Sequence, residues 1–161
     1  MITKIEYLLE VIEMKSKNTV MKTELTFTIV KPKAVENNNL GLILDLINRN
    51  GFQFRAMKMI RMEREKAEKF YEEHKNQPFF KALINYMTSG PVVVAVVEKE
   101  NAVSDFRQLI GSTDPANANF GTIRRMFAES KESNAVHGSD SVASAMREIN
   151  LFFNPDEIIS D

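Results

Sequence analysis

Apolar residues along the chain alternate between the two-residue spacing of strands and the three- to four-residue spacing of helices. Residues 25–31 predict a first strand, which Pro32 ends because proline has no N–H to donate to a sheet ladder. A second strand is predicted from residue 52 to about residue 60. A third covers residues 91–98, whose valine run is apolar on both faces and therefore indicates a central strand. A short fourth strand fits just before His137.

Helical spacing of the apolar residues predicts the segments between these strands. The first predicted helix covers residues 40–47 and is closed by Gly51. The others cover residues 67–74 and 80–87, which Pro78 separates, then residues 103–110, a short helix that starts near Thr122, and residues 141–153. In the last helix we expect the inward residues to be Val142, Ala145, Met146, Ile149 and Phe153. This order of elements predicts an α+β fold, a ferredoxin-like sandwich with a four-stranded antiparallel sheet covered by helices.

Residues 1–20 stand apart from this pattern. Ile5, Leu8, Leu9 and Ile12 have the spacing of a short amphipathic helix, and residues 15–18 form a polar linker. Met21 comes directly before the first strand. We therefore divide the chain into an N-terminal extension, residues 1–20, and a folded domain, residues 21–161.

The composition is that of one soluble globular domain of 161 residues, with a net charge of −1 from 21 basic and 22 acidic residues. This balance predicts no general polyanion-binding surface, so stable nucleic-acid binding is not expected and any phosphate site is local. The absence of cysteine excludes disulfides and cysteine nucleophiles. No apolar run is long enough for a bilayer and no signal peptide is visible, so we expect a cytoplasmic protein without a membrane partner.

The segment from Asn134 to Ser141 is the most informative in the chain. It places His137 beside a glycine and a row of helix N-cap residues, Ser139, Asp140 and Ser141. A helix N-terminus beside a histidine offers amide donors to an anion. A capped helix with an incidental histidine is nevertheless the commoner explanation of such spacing. His74, the second histidine, ends an apolar stripe and fits a structural role.

General phosphate-binding motifs are missing from the sequence, including the G-x-x-x-x-G-K-[ST] loop and the protein-kinase motifs. Candidate phosphate ligands lie on or beside predicted loops: Lys31, Arg107, Arg124 and Arg125. Each of these alone is more often a solvated surface residue.

Residues 134–141 match the N-x-x-H-G-S-D-S signature of nucleoside diphosphate kinases, and the resemblance extends over residues 25–158. The other matching motifs are Ile29-Val30-Lys31-Pro32, Gln77-Pro78-Phe79-Phe80, Met87-Thr88-Ser89-Gly90-Pro91-Val92, Gly111-Ser112-Thr113-Asp114-Pro115 and Gly121-Thr122-Ile123-Arg124. Because several separate motifs occur in the same order, the folded domain resembles this kinase. The short segment after the last predicted helix resembles that of bacterial members.

The resemblance implies a ping-pong transfer of the γ-phosphate of a nucleoside triphosphate to a nucleoside diphosphate, with Mg²⁺ arriving on the nucleotide phosphates. Nδ1 of His137 is the implied nucleophile, Glu148 orients the imidazole, and Ser139 supports this pair. The implied phosphate ligands are Lys31, Tyr71, Arg107, Thr113 and Arg124. Lys31 and Asn134 also match the residues that bind the sugar, and Phe79 matches the base-stacking aromatic, with Leu83 nearby.

The chain departs from the family pattern at a few positions. Lys33 replaces an aspartate, Phe120 a proline, and Lys131 an apolar residue that faces the base, while Arg125 and Met126 follow the Thr-Ile-Arg motif where Gly or Ala and Asp are usual. None of these changes removes a catalytic group. The family forms homo-oligomers, either tetramers or hexamers built from a common dimer, and the sequence does not choose between them.

Two rival functions fit the sequence less well. A non-enzymatic ferredoxin-like module that binds RNA would show a basic, aromatic strand, which residues 52–55 do not provide. A degenerate kinase paralogue would have lost catalytic positions, and all of those named above are kept.

The division at residue 20 predicts that the extension is dispensable. Deleting residues 1–20 should change the melting temperature and the turnover number little, because the resemblance begins only near Thr23. Thermal denaturation and a coupled kinase assay on both forms test this. A collapse of either quantity would show that the extension belongs to the core or to the assembly.

Overall fold

A computed structural model describes residues 23–160; the helix predicted around residues 5–12 lies outside these residues. Four strands form one antiparallel sheet: β1 (Thr23–Val30), β2 (Gln53–Arg61), β3 (Pro91–Glu100) and β4 (Val136–Gly138). Their spatial order is β2-β3-β1-β4. This is the antiparallel sheet order of the predicted ferredoxin-like sandwich, so the fold prediction is confirmed.

The valine run of residues 92–97 explains why β3 is central. All six residues are buried, which requires apolar cover on both faces of the sheet. The strand pairs with β1 on one side and β2 on the other. The short β4 pairs with β1 through three residue pairs, Thr28 with Gly138, Ile29 with His137 and Val30 with Val136.

Seven α-helices cover the sheet in the described part of the chain. They are α1 (Pro32–Glu36), α2 (Leu40–Arg49), α3 (Arg64–Phe70), α4 (Phe80–Met87), α5 (Ala102–Ile110), α6 (Ile123–Phe127) and α7 (Val142–Phe152). Single 3₁₀ turns occur at Glu72–His74, Pro115–Asn117 and Pro155–Glu157. None of these helices has the length and apolar character that crossing a bilayer requires.

Alternating residues of β1 and β3 send side chains to two separate cores. Phe27 and Ile29 pack with residues of α3, α4 and α7, including Phe70 and Phe152. Val30, facing the other way, packs in the cluster that contains residues of α2 and α5. The sheet is therefore fixed from both sides, and the β1–β4 edge that carries His137 rests on a rigid layer.

Two helix predictions need correction. The helix expected through residue 74 ends at Phe70, and His74 lies in an exposed 3₁₀ turn. In α7, Val142 and Met146 are 52% and 47% exposed, whereas both were expected to point inward.

The buried face of α7 consists of Ala145, Glu148, Ile149 and Phe152. Periodicity alone favours apolar residues for such a face, and here a carboxylate takes one of the positions because buried hydrogen-bond donors meet it. Met146 is turned about 100° from Ala145 around the helix, which carries it out of that face.

Gly138 gives a test of how tightly β4 is packed. A Cβ atom there would lie 2.8 Å from Phe106 Cδ1 and 3.0 Å from Ile110 Cδ1 on α5. Gly138→Ala should therefore lower the free energy of unfolding by about 1–3 kcal/mol, as overpacking does. Urea denaturation measures the change.

The matched control for this variant is Gly41→Ala, because a Cβ at residue 41 of α2 would meet no atom within 4 Å. Replacing this helical glycine should raise the free energy of unfolding, by up to about 1 kcal/mol. If Gly138→Ala were as stable as the Gly41→Ala variant, the described contact between β4 and α5 would be wrong.

Candidate active site

His137 is held at the β1–β4 edge by backbone and side-chain hydrogen bonds. Its carbonyl accepts from Thr28 Oγ1 at 2.7 Å, and its Cα pairs with that of Ile29. Just before β4, Ala135 has a φ of 70°, in the left-handed region, and its carbonyl accepts from the amide of Lys31 at 2.9 Å. This turn brings residues 134–136 alongside the end of β1, and it places His137 and Lys31 at the same edge of the sheet.

Glu148 fixes the orientation of the imidazole. Its Oε2 lies 2.9 Å from His137 Nε2 and accepts a hydrogen bond from Ser139 Oγ at 2.6 Å. A carboxylate only accepts, so Nε2 carries the proton and Nδ1 keeps its lone pair. The arrangement can therefore present Nδ1 as a nucleophile.

The imidazole is packed among aromatic rings. Phe70 meets it edge to face at 4.9 Å between ring centroids, Phe27 lies at 6.2 Å, and the His137 side chain is 20% exposed. Burial lowers the pKa of His137, and Lys31 and Arg124 lower it further, while Glu148 opposes them. The ring is consequently neutral at pH 7, as a nucleophile has to be.

This lowered pKa has a defined consequence for stability. The unfolded chain, with a histidine pKa near 6.5, binds the proton more tightly than the folded chain. The contribution of His137 to folding stability is therefore lost as the pH falls below about 6.5 towards the folded value.

Two buried cations lie beside His137. Lys31 Nζ donates to Asn134 Oδ1 at 2.7 Å, and burial together with the charge of Arg124 lowers its pKa to about 7. Arg124 donates to the carbonyls of Gly111 at 2.8 Å and Val136 at 3.1 Å. Its pKa falls to about 10, through burial and the nearby charge of Arg107.

Neither buried cation has a carboxylate partner among residues 23–160, and Arg124 Nε has no hydrogen-bond partner there. Cations that are taken out of water without a counterion are unfavourable. An anion such as a phosphate would relieve that cost, so the electrostatics of this site favour an anionic ligand.

A row of rings leads from the imidazole to the surface. Tyr71 packs edge to face on Phe70 at 4.7 Å, His74 follows Tyr71 at 6.3 Å, and Phe79 follows His74 at 5.7 Å. Phe79 is 49% exposed, so it can receive a flat ligand. The buried hydroxyl of Tyr71 has no partner in the described residues, and burial raises its pKa above its ordinary value.

The structure brings most of the predicted site residues together. Hydrogen bonds, charge effects or ring contacts connect His137, Glu148, Ser139, Lys31, Asn134, Arg124, Arg107, Tyr71 and Phe79. Thr113 is exposed in the loop between α5 and α6, and no described contact ties it to this group. Leu83, on α4, is partly buried and packs against the core cluster that contains Phe27 and Phe70.

Sequence reasoning missed three residues of this site. Phe70 packs on the imidazole, but its helical spacing marked it only as a core residue. Ala135 adopts a left-handed φ that no glycine or asparagine signals. Arg147 contacts both Glu148 and Glu73, and nothing in its sequence spacing distinguishes it from a surface arginine.

The described residues contain no group of three or more histidines and acids that could hold a metal ion. The site instead collects cations around His137.

Comparison with known proteins gives consistent matches. The family described as nucleoside diphosphate kinase matches residues 24–158. A nucleoside diphosphate kinase of a Nitratiruptor species is 54% identical over 136 residues, 84% of this chain and 99% of that protein.

Two solved structures share the fold of this chain. The nucleoside diphosphate kinase of Aquifex aeolicus superposes with a TM-score of 0.84 at 45% identity, over 86% of this chain and 100% of that one. The halophilic enzyme of Halobacterium salinarum, solved in complex with CDP, has a TM-score of 0.84 at 38% identity, over 86% and 93% of the two chains.

Glu148→Gln tests the role of the buried carboxylate. The hydrogen bond and the charge of Glu148 both raise the pKa of His137, so their loss should lower that pKa below the wild-type value. NMR titration of the imidazole Cε1 proton measures it. Glu65→Gln, on the exposed face of α3, should leave the titration unchanged. An unchanged or raised pKa in Glu148→Gln would refute the described contact.

Proposed function

This chain belongs to the nucleoside diphosphate kinase family, and from that premise we propose that it transfers γ-phosphate between nucleotides by a ping-pong route through a phosphohistidine at His137. One observation supports this mechanism above the others. The imidazole donates from Nε2 to Glu148, which leaves the Nδ1 lone pair available beside two buried cations without carboxylate partners.

In the first half-reaction, Nδ1 attacks the γ-phosphorus of a nucleoside triphosphate. The bond between the γ-phosphorus and the β–γ bridging oxygen breaks, and the nucleoside diphosphate leaves with that electron pair. The Nε2 proton stays hydrogen-bonded to Glu148, so the carboxylate balances the positive charge that the ring gains when Nδ1 is phosphorylated. The second half-reaction runs the same step backwards onto another diphosphate.

The phosphate ligands act through charge and position. We assign Lys31, Arg107 and Arg124 to the phosphate oxygens, with the hydroxyls of Tyr71 and Thr113 as further donors. The charges of Lys31 and Arg124 both lower the pKa of the imidazole, so these two cations act on the proposed nucleophile itself. Phosphate binding would restore the charged form of Lys31, whose pKa is near 7 without a counterion. The proposed substrate is the nucleotide carrying Mg²⁺, which would neutralise part of the charge on its phosphates.

The exposed Phe79 ring is the proposed platform for the base, with Leu83 beside it. Stacking accepts any base because each presents a π-face, which suits a kinase of broad nucleotide specificity. Lys31 and Asn134 are the proposed sugar ligands, and their mutual hydrogen bond holds both in place. Asn134 Nδ2 also donates to the carbonyl of Lys131 at 3.0 Å, so the loop with the unusual lysine is tied to this site.

We propose too that the chain forms a homo-oligomer built from dimers, a tetramer or a hexamer, in the cytoplasm. In the described sheet β2 is an edge strand, and its Met57 and Met59 are 52% and 56% exposed. Exposed apolar side chains on an edge strand are surface that an assembly would cover.

Labelling tests the proposed intermediate. Incubation with γ-labelled ATP should leave acid-labile, alkali-stable label on the protein, and His137→Ala should abolish both the label and the transfer. His74→Ala is the matched control: it should keep the label, because the ring contacts of His74 are with Tyr71 and Phe79, and no contact described for residues 23–160 joins it to His137 or Glu148. Normal labelling and turnover by His137→Ala would show that the mechanism is wrong.

A further inference from the structure

The carboxylate of Glu148 is held unequally at its two oxygens. Oε2 accepts both hydrogen bonds, from Ser139 Oγ and from His137 Nε2. Oε1 accepts no hydrogen bond from residues 23–160, and its charged neighbour is Arg147 Nη2 at 3.8 Å. Both hydrogen bonds of the carboxylate therefore fall on one oxygen, and in the described residues Oε1 has the Arg147 contact in their place.

Arg147 is placed to hold Oε1 of Glu148. Adjacent residues of an α-helix point about 100° apart, so Arg147 and Glu148 do not meet by helical geometry alone. The same Nη2 atom lies 3.4 Å from Oε1 of Glu73, in the 3₁₀ turn after α3. Glu73 thus draws the guanidinium towards the turn, and Nη2 lies between the two carboxylates.

The turn that holds Glu73 also carries His74, which lies between the rings of Tyr71 and Phe79. Arg147 therefore links the base-side turn to the carboxylate that orients the imidazole. The Glu73 and Arg147 side chains are 67% and 45% exposed, whereas that of Glu148 is 5% exposed. An ion pair this exposed contributes little to overall stability, so loss of Arg147 should leave the fold intact.

We propose that Arg147 is a positioning residue for phosphotransfer: it holds Oε1 of Glu148 so that Oε2 stays on the imidazole and Nδ1 keeps its orientation. The expected effect on the phosphorylation rate rests on the proposed phosphohistidine mechanism. The expected effect on the orientation of Glu148 and the imidazole concerns the protein without nucleotide. Arg147 touches neither the nucleophile nor the phosphate ligands in the described contacts.

The direction in which the pKa of His137 changes when Arg147 is removed distinguishes a positioning role of Arg147 from a direct effect of its positive charge. The charged and titratable groups that bear on His137 are Glu148 on α7, Lys31 at the end of β1 and Arg124 on α6. If Arg147 were only one more cation nearby, its removal would raise the pKa of the imidazole. If it positions Glu148, its removal weakens the contact that supports the protonated ring, and the pKa falls.

The experiment compares Arg147→Ala, Arg147→Lys and wild type by NMR titration of His137 and by single-turnover phosphorylation with ATP. Arg147→Ala should lower the imidazole pKa and slow phosphorylation about two- to fivefold, the range for an ion pair of this exposure. KM for nucleotide should stay close to wild type, since no nucleotide ligand is removed. Arg147→Lys keeps the charge and should recover part of both losses.

Two controls make the result specific. Arg64→Ala removes an arginine of similar exposure that pairs with Glu68 at 3.6 Å on α3, and it should change neither quantity. In a Glu148→Gln background, Arg147→Ala should add nothing to the loss of rate, because the residue acts through that carboxylate.

A raised or unchanged pKa in Arg147→Ala, or additive losses in the double variant, would overturn the proposal. Failure of the proposed function gives a different result. Wild-type protein would then take no label from ATP, while the imidazole titration would still report on Arg147.

Discussion

The hydrogen bond between Glu148 and His137 is the interaction on which the rest of the site depends. It joins α7 to the edge strand β4, across the side of the sheet where Phe27, Phe70 and Phe152 pack. Because Ser139 donates to the same oxygen, the carboxylate is compensated although it is buried. The hydrogen bonds that offset the cost of burying Glu148 also determine which imidazole nitrogen is free. The same contacts therefore stabilise the fold and set the chemistry of the site.

Unlike the buried carboxylate, the buried cations of the site are not compensated by groups of opposite charge in the described part of the chain. Lys31 and Arg124 are buried, their hydrogen-bond partners among residues 23–160 are all neutral, an amide oxygen and two backbone carbonyls, and both have lowered pKa values. Burying cations in this way is unfavourable for the protein without a ligand, and the proposed nucleotide phosphates would supply the missing negative charge. The end of β1, the left-handed Ala135 and the helix α6 hold these groups in place before any ligand arrives. Phosphoryl transfer requires such preorganised charges.

Much of this architecture could be predicted from the sequence because it follows from local rules. The valines of residues 92–97 indicate a central strand, and Pro32 and Gly51 mark where elements end. The face of α7 could not be predicted in the same way. Its inward position 148 is a glutamate, which periodicity assigns to the surface, and only long-range donors from β4 and the loop after it make the buried position favourable.

The candidate site was predicted mostly from its resemblance to a family, since spacing around His137 also fits a capped helix. The geometry explains why those residue types occur together: the site contains a buried imidazole, a carboxylate that orients it, and cations that have no carboxylate partner among residues 23–160. Residues that reach the site through contacts between separate elements could not be predicted from their spacing in the sequence. Phe70 reaches the imidazole from another helix, and Arg147 reaches Glu148 through a contact with Glu73.

The central claim is that Glu148 leaves Nδ1, and not Nε2, free to take phosphate. The most direct measurement is the position of the phosphorus on the ring, determined by NMR of ¹⁵N-histidine-labelled protein after reaction with ATP under alkaline conditions. Our account predicts a phosphorus–nitrogen coupling to Nδ1 of His137 alone. Phosphate on Nε2, or on any residue other than His137, would contradict it.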